Sequence, residues 1–143
     1  MRPLRIAAIA LSLYCSGCAS ISTPDEDEIG AFEALALHDH GEVLLIDVRS
    51  EKEKASASPK AKSIALQFGP DTWSGKVSKE EELRFIARIA TLETNSRQLV
   101  LLCQYGVRSR AAIAVLRQAR IRAKSVTDGY AGNESGPGWG AWE

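Results

Sequence analysis

The chain has 143 residues, 45% of them hydrophobic and 25% charged, enough for one domain with a buried core. Lysine and arginine together number 18 and so do aspartate and glutamate, so the basic surplus that a general nucleic-acid binder needs is absent. The charge is segregated all the same: ten acidic residues against two basic ones from Asp25 to Glu53, and six basic with no acidic from Arg108 to Lys124. Such blocks read first as two solvated faces of opposite sign; in a sharper reading the basic block favours anions near Cys103.

Residues 1–17 read as a signal peptide. In "MRPLRIAAIALSLYCSGC" two arginines precede an apolar run from Ile6 to Tyr14, too short for a permanent membrane span, and small residues then lead to a cysteine. The Ser16-Gly17-Cys18 ending resembles the lipobox of bacterial lipoproteins, although Cys15 stands where that family usually has leucine. The resemblance implies that Cys18 is lipidated and becomes the new N-terminus. A plain secretory signal, cleaved at another small residue, is the alternative. Ala19 is not the aspartate that signals inner-membrane retention in many such lipoproteins. The expected location is therefore the bacterial cell envelope, facing the periplasm, with a lipid anchor in the outer membrane. Residues 18–27, with "SISTPDED", form a tether, and residues 28–143 form the domain.

Elements then alternate along the chain. Glu28 to His38 places Ile29, Phe32, Leu35 and Ala36 at helical spacing, with Asp25 to Glu28 as an acidic cluster at the helix start. "VLLIDV" (Val43–Val48) is a continuous apolar run, as in a strand covered on both faces. Lys79 to Glu93 predicts a helix with Leu83, Ile86, Ala87 and Ala90 on one side and Glu80, Glu81 and Arg84 on the other. "LVLLC" is a second buried strand, Ser109 to Ile121 an alanine-rich helix, and "AKSVTD" a shorter third strand. After Gly129 a glycine-rich tail with aromatic anchors reads as loop. Strands alternating with helices predict an α/β fold in three layers, a central parallel sheet with helices on both faces. Sites in such folds form at the carboxyl ends of strands, where Cys103 and Asp47-Val48-Arg49 both fall.

Export changes what the cysteines mean. Cys15 leaves with the signal and Cys18 carries lipid, so Cys103 is the one remaining thiol, without a partner in an oxidising compartment. A thiol is a nucleophile as thiolate, and a helix N-terminus beside an arginine favours that form. Ser109 is read as the start of the helix, with Arg108 immediately before it and facing the thiol. Gly106 lets the backbone curl so that successive amides point at the sulfur as an anion nest. Ser109 either caps the helix or donates its hydroxyl to the same centre. A strand–loop–helix turn around an inert buried cysteine explains Gly106 and Ser109 but not Arg108.

Cys103-Gln104-Tyr105-Gly106-Val107-Arg108-Ser109 resembles the Cys-x-x-Gly-x-Arg-Ser active-site loop of single-domain rhodanese-like sulfurtransferases. "LLIDVRSEKE" (Leu44–Glu53) resembles the family's first strand, with Asp47, Arg49 and Glu53 on its usual acidic and basic positions. "PKAKSIAL" (Pro59–Leu66) and "DGYAG" are similar to two further segments, so the likeness runs from Ile29 to Trp142. "KASAS" departs from the aromatic residue and Gly-His-Ile usual after Glu53. Tyr130 replaces a glycine and is expected to narrow or line the pocket. The resemblance implies a rhodanese-like fold and a two-step sulfur transfer. Cys103 is the nucleophile that becomes a persulfide, and Arg108 the charge that steadies it and an anionic, thiosulfate-like donor. Gln104, Tyr105, Gly106, Val107 and Ser109 bind substrate, and Asp47 and Arg49 brace the loop. The acceptor is a thiol, or cyanide in vitro. No cofactor or metal is implied, and no motif specifies an oligomeric state.

Two rivals differ in class. A cysteine phosphatase or arsenate-reductase-like enzyme uses a similar thiolate cradle, but with one more residue between Cys and Arg than the four here. A non-catalytic envelope module would bind a partner through the fold alone. His38 and His40 read as surface residues, and Trp73, Trp139 and Trp142 as packing anchors.

Overall fold

The two continuous apolar runs become neighbouring central strands. In the computed structural model, which describes residues 26–143, they are β2 (Val43–Asp47) and β4 (Gln98–Leu102). The expected signal peptide, the Cys18 anchor and most of the tether lie outside the described residues. β1 (Glu28–Ile29), β3 (Ile64–Ala65) and β5 (Ala123–Val126) complete one sheet in the order β1-β5-β4-β2-β3, with every pairing parallel.

Alternation along the strands divides the core in two, because successive side chains leave a strand on opposite faces. Leu44, Ile46, Leu99 and Leu101 point to the side covered by α3 (Lys79–Ala90) and α4 (Val107–Gln118). Val43, Leu45, Val100 and Leu102 point to the side covered by α1 (Ala31–Asp39) and a 3-10 turn at Trp139–Ala141. Both faces are thus covered, as the unbroken apolar runs require.

Several expectations for the helices need correction. Glu28 and Ile29 are strand, paired with Ser125 and Val126, and α1 begins only at Ala31. The acidic cluster therefore does not start a helix. The buried carboxylate of Asp128 instead accepts the Ala31 N–H at 2.8 Å. α1 buries Ala31 and Ala34 and packs Leu35 and Leu37 against the same core, while Phe32 is 64% exposed. α3 buries Phe85 and Ile89, packs the expected Ile86 against the same core, and leaves Leu83, Ala87 and Ala90 exposed. α4 starts two residues earlier than Ser109, since left-handed Gly106 (φ +85°) turns the chain straight into it. A further helix, α2 (Glu51–Ser56), opens on a reciprocal capping box between Ser50 and Glu53.

The order of connections positions the site. From β2 the chain moves outward to β3; from β4 it moves the other way, to β5. The sheet therefore has its switch point between the carboxyl ends of β2 and β4, where a crevice opens. Asp47 pairs with Leu102 across that boundary, so Val48 leaves the sheet beside Cys103 and Arg49 beside Gln104.

Candidate active site

Cys103 follows the last residue of β4 and is 1% exposed. Three residues on, the Gly106 N–H donates to its Sγ at 3.1 Å, and Ser109 Oγ lies 3.3 Å from the same sulfur. Ser109 belongs to the first turn of α4, so its hydroxyl serves the sulfur and the Gly106 carbonyl rather than capping the helix. Behind it stands the hydroxyl of Ser125 in β5, at 2.7 Å. The unpaired N–H groups of a helix start carry partial positive charge, and α4 begins four residues beyond the sulfur. An N–H, a hydroxyl and a helix start thus converge on one thiol.

The loop is clamped from outside by the segment after β5. Tyr130 and Ala131 donate their N–H groups to the carbonyls of Cys103 and Gln104 at 2.8 and 3.0 Å. Asn133 Nδ2 bridges the carbonyls of Tyr105 and Thr127 at 2.9 and 2.8 Å. From β2, the buried Arg49 is held by both oxygens of Asp47 and donates Nη1 to Gln104 Oε1 at 3.1 Å. The Tyr130 ring stacks on that guanidinium at 4.3 Å, so Tyr130 braces Arg49 rather than lining the cavity.

A cavity of about 140 Å³ leads to the sulfur and is lined by Glu53, Trp73, Cys103, Gln104, Tyr105, Val107 and Arg108. Arg108 lines the same cavity as Cys103, and its hydrogen bonds go elsewhere. Its Nη1 donates to Glu53 Oε2 at 2.8 Å and reaches the Val48 carbonyl at 3.5 Å, and its guanidinium lies 5.4 Å from the Trp73 ring centre. Burial works to raise the pKa of Glu53, but hydrogen bonds from Ser50 and the Arg108 charge outweigh it and hold the carboxyl below its usual range. The rest of the basic block lies away from the site. Arg110 pairs with Glu28 at 2.7 Å and Arg117 with Asp27, so these two opposite charges meet instead of forming separate faces.

Glu53 and Trp73 also line the cavity, a role that the sequence alone does not give them. The capping-box spelling Ser50-x-x-Glu53 could have fixed the position of Glu53; nothing local points to Trp73, Asn133 or Ser125. Trp139 is fully buried, as an anchor should be, while Trp142 packs edge-on against Phe32. His38 is not a plain surface residue: its Nε2 lies 2.9 Å from the Lys62 carbonyl and its ring meets Trp139 edge-on.

A parallel sheet covered on both faces, with a cysteine loop at its switch point, defines a three-layer α/β protein built around one thiol. The sequence profile of the rhodanese-like domain matches residues 31–134, and the chain belongs to that family. Among solved structures it is similar to Rv0390 from M. tuberculosis, with 25% identity and a TM-score of 0.57 over 80% of this chain and 92% of that one. The human single-domain sulfurtransferase TSTD1 shares the fold at 21% identity and a TM-score of 0.52, over 74% and 93% of the two chains. A full-length protein from Lactobacillus plantarum does so at 20% and 0.52, over 81% and 82%. A comparison with curated protein sequences finds no match.

Proposed function

We propose that the protein is a sulfurtransferase that carries sulfur on Cys103. The Cys103 thiolate attacks the outer sulfur of a sulfane-sulfur donor such as thiosulfate. The Sγ–S bond forms as the donor's S–S bond breaks, and the electron pair leaves with sulfite. The persulfide then yields its outer sulfur to a thiol, or to cyanide in vitro, and the Cys103 thiolate is regenerated. Dividing the transfer into two displacements at one nucleophile is covalent catalysis. The observation that carries this reading is the Gly106 N–H donated to Sγ, with the Ser109 hydroxyl 3.3 Å from the same sulfur, in the lining of a cavity. Donors fixed in place stabilise an anionic sulfur without reorganising during the reaction. Gln104, Tyr105 and Val107 offer the cavity wall to the substrate, Arg108 stands in that wall paired with Glu53, and Asp47 and Arg49 hold the loop.

Incubation with thiosulfate should add the mass of one sulfur to the protein, removable by cyanide or dithiothreitol, and Cys103→Ser should abolish both the adduct and turnover. Transfer at the parental rate by the serine variant would refute the assignment. A phosphatase assay run beside it tests the oxyanion-hydrolase reading, and inactivity in both assays would favour a binding module.

For location, we propose export and lipid anchoring at Cys18. Two acyl chains suffice for stable anchoring, at about 0.8 kcal/mol per buried methylene. The protein should fractionate with membranes, and Cys18→Ala should release it or block its processing. A soluble, lipid-free parental protein would leave only the plain secretory signal.

A further inference from the structure

From the walls of the cavity we infer that its preferred donor is an organic persulfide with an apolar body and at most one negative charge, not a small inorganic dianion. The inference rests on the sulfur-transfer reading and specifies the substrate class for the same site.

Charge is the first argument. Only two charged side chains line the cavity, Glu53 and Arg108, and they are bonded to each other at 2.8 Å. The next guanidinium inward, Arg49, is matched by Asp47 and is itself fully buried. The side chains that line the cavity therefore carry no net positive charge. Because Glu53 is held below its usual range, it stays ionised at neutral pH and continues to neutralise Arg108. A dianion entering here meets one cation and one carboxylate. Its loss of hydration is then poorly repaid, since burying charge is tolerated only against a matching partner.

The apolar surface is the second argument. Tyr105 and Val107 are 58% and 55% exposed, and they are two of only five large apolar side chains left open among the described residues. Both stand on the cavity wall, facing the half-buried ring of Trp73. A volume near 140 Å³ compares with the roughly 150 Å³ of an apolar protein cavity that takes up benzene. One aromatic or branched alkyl group fits such a space.

The step balances without an added oxidant. The Cys103 thiolate attacks the terminal sulfur of R–S–SH; the Sγ–S bond forms, the donor's S–S bond breaks, and R–S⁻ departs with the electron pair. The proton stays on the transferred sulfur, so Cys103 emerges as a persulfide and the donor as a thiolate.

The test loads the reduced full-length protein in parallel with thiosulfate and with benzyl persulfide generated in situ, following the Cys103 adduct by intact mass. Each rate is divided by that donor's rate with a small free thiol, which removes intrinsic reactivity. The normalised ratio should favour benzyl persulfide by roughly tenfold or more, the scale of burying an aromatic ring. Glu53→Gln preserves the shape of the capping box and the acceptor for Arg108 but removes the countercharge. It should move the ratio toward thiosulfate by about tenfold, whereas a merely structural role would slow both donors alike. A parental ratio favouring thiosulfate overturns the inference, as does an unmoved ratio in a folded Glu53→Gln variant. If that variant does not fold, the parental ratio decides alone. If neither donor loads Cys103, sulfur transfer itself fails; if thiosulfate alone loads, only the donor class does.

Discussion

Gly106 and Thr127 meet so closely that a Cβ on the glycine would lie 2.2 Å from the Thr127 carbonyl oxygen. The same glycine adopts φ +85° and delivers its N–H to the Cys103 sulfur. Close approach, left-handed backbone and sulfur bond thus depend on one missing side chain. Gly106→Ala should cost about 1–2 kcal/mol for the left-handed conformation alone, and more for the clash with backbone. Urea unfolding would measure the loss. Loading of Cys103 should fall further than stability does, because any shift that relieves the clash moves the amide off the sulfur. A variant of unchanged stability and rate would show that the loop tolerates another path.

The hydroxyls of Ser109 and Ser125 lead to a second prediction. Both residues are buried, and Ser109 Oγ lies near three partners: Cys103 Sγ, the Gly106 carbonyl and Ser125 Oγ. Ser109→Ala should destabilise by about 1–2 kcal/mol, because it leaves the Ser125 hydroxyl buried beside a methyl group. Removing both hydroxyls should cost less than the two single changes added together, since the orphan disappears with its partner. Sulfur loading should not recover in the double variant. Denaturation and loading measured on all three proteins would test this, and strict additivity of the stability losses would refute it.

The third prediction concerns pH. The Glu143 carboxylate accepts from the Lys60 and Ala61 N–H groups, each at 2.9 Å, and from Trp139 Nε1 at 2.7 Å. Burial works to raise its pKa; these bonds and the Lys60 charge outweigh it and lower the pKa. A depressed pKa contributes stability that is present above the unfolded value of about 4.3 and lost as pH falls through the folded one. Glu143→Gln should therefore be less stable by about 1 kcal/mol at neutral pH, a modest figure because the site is partly exposed. The gap should close as the pH is lowered below about 4. Thermal melts across that range would test it, and a gap that widens in acid would contradict it.

What could be read from sequence divides along physical lines. The strands Val43–Asp47 and Gln98–Leu102 were legible because both faces are covered, which leaves unbroken apolar runs. The cysteine loop was legible because its chemistry is local: Gly106, Arg108 and Ser109 all lie within six residues of Cys103. α1 is legible only in part: Leu35 packs against the core, but the buried positions are Ala31 and Ala34, small residues that a count of large apolar side chains passes over, and Phe32 is exposed. The partner of Arg108 was missed for a different reason. Glu53 lies 55 positions away and reaches it only once β2 and β4 are adjacent. Arg108 and Cys103 line one cavity, but the guanidinium gives its hydrogen bond to that carboxylate rather than to the sulfur.

Asp47 and Arg49 carry the last prediction. Both are buried, and the guanidinium uses Nε and Nη2 on the carboxylate while Nη1 holds Gln104. Breaking a buried pair from one side leaves the other charge uncompensated, which costs about 3–5 kcal/mol. Asp47→Asn should lose stability on that scale, a large share of the roughly 5–15 kcal/mol of an ordinary domain. Arg49→Lys keeps the charge but cannot grip two carboxylate oxygens and reach Gln104 as well. It should release the Gln104 side chain and slow loading of Cys103 several-fold. Replacing the pair together, Asp47→Leu with Arg49→Met, removes both charges and should restore much of the stability, because apolar pairs of similar volume often substitute for buried ion pairs. The loading rate should stay low in that double variant, since no group then reaches Gln104. Guanidinium denaturation beside adduct formation separates the two roles. Loading that recovers along with stability would mean that the pair only supports the fold, and that Gln104 needs no hand from β2.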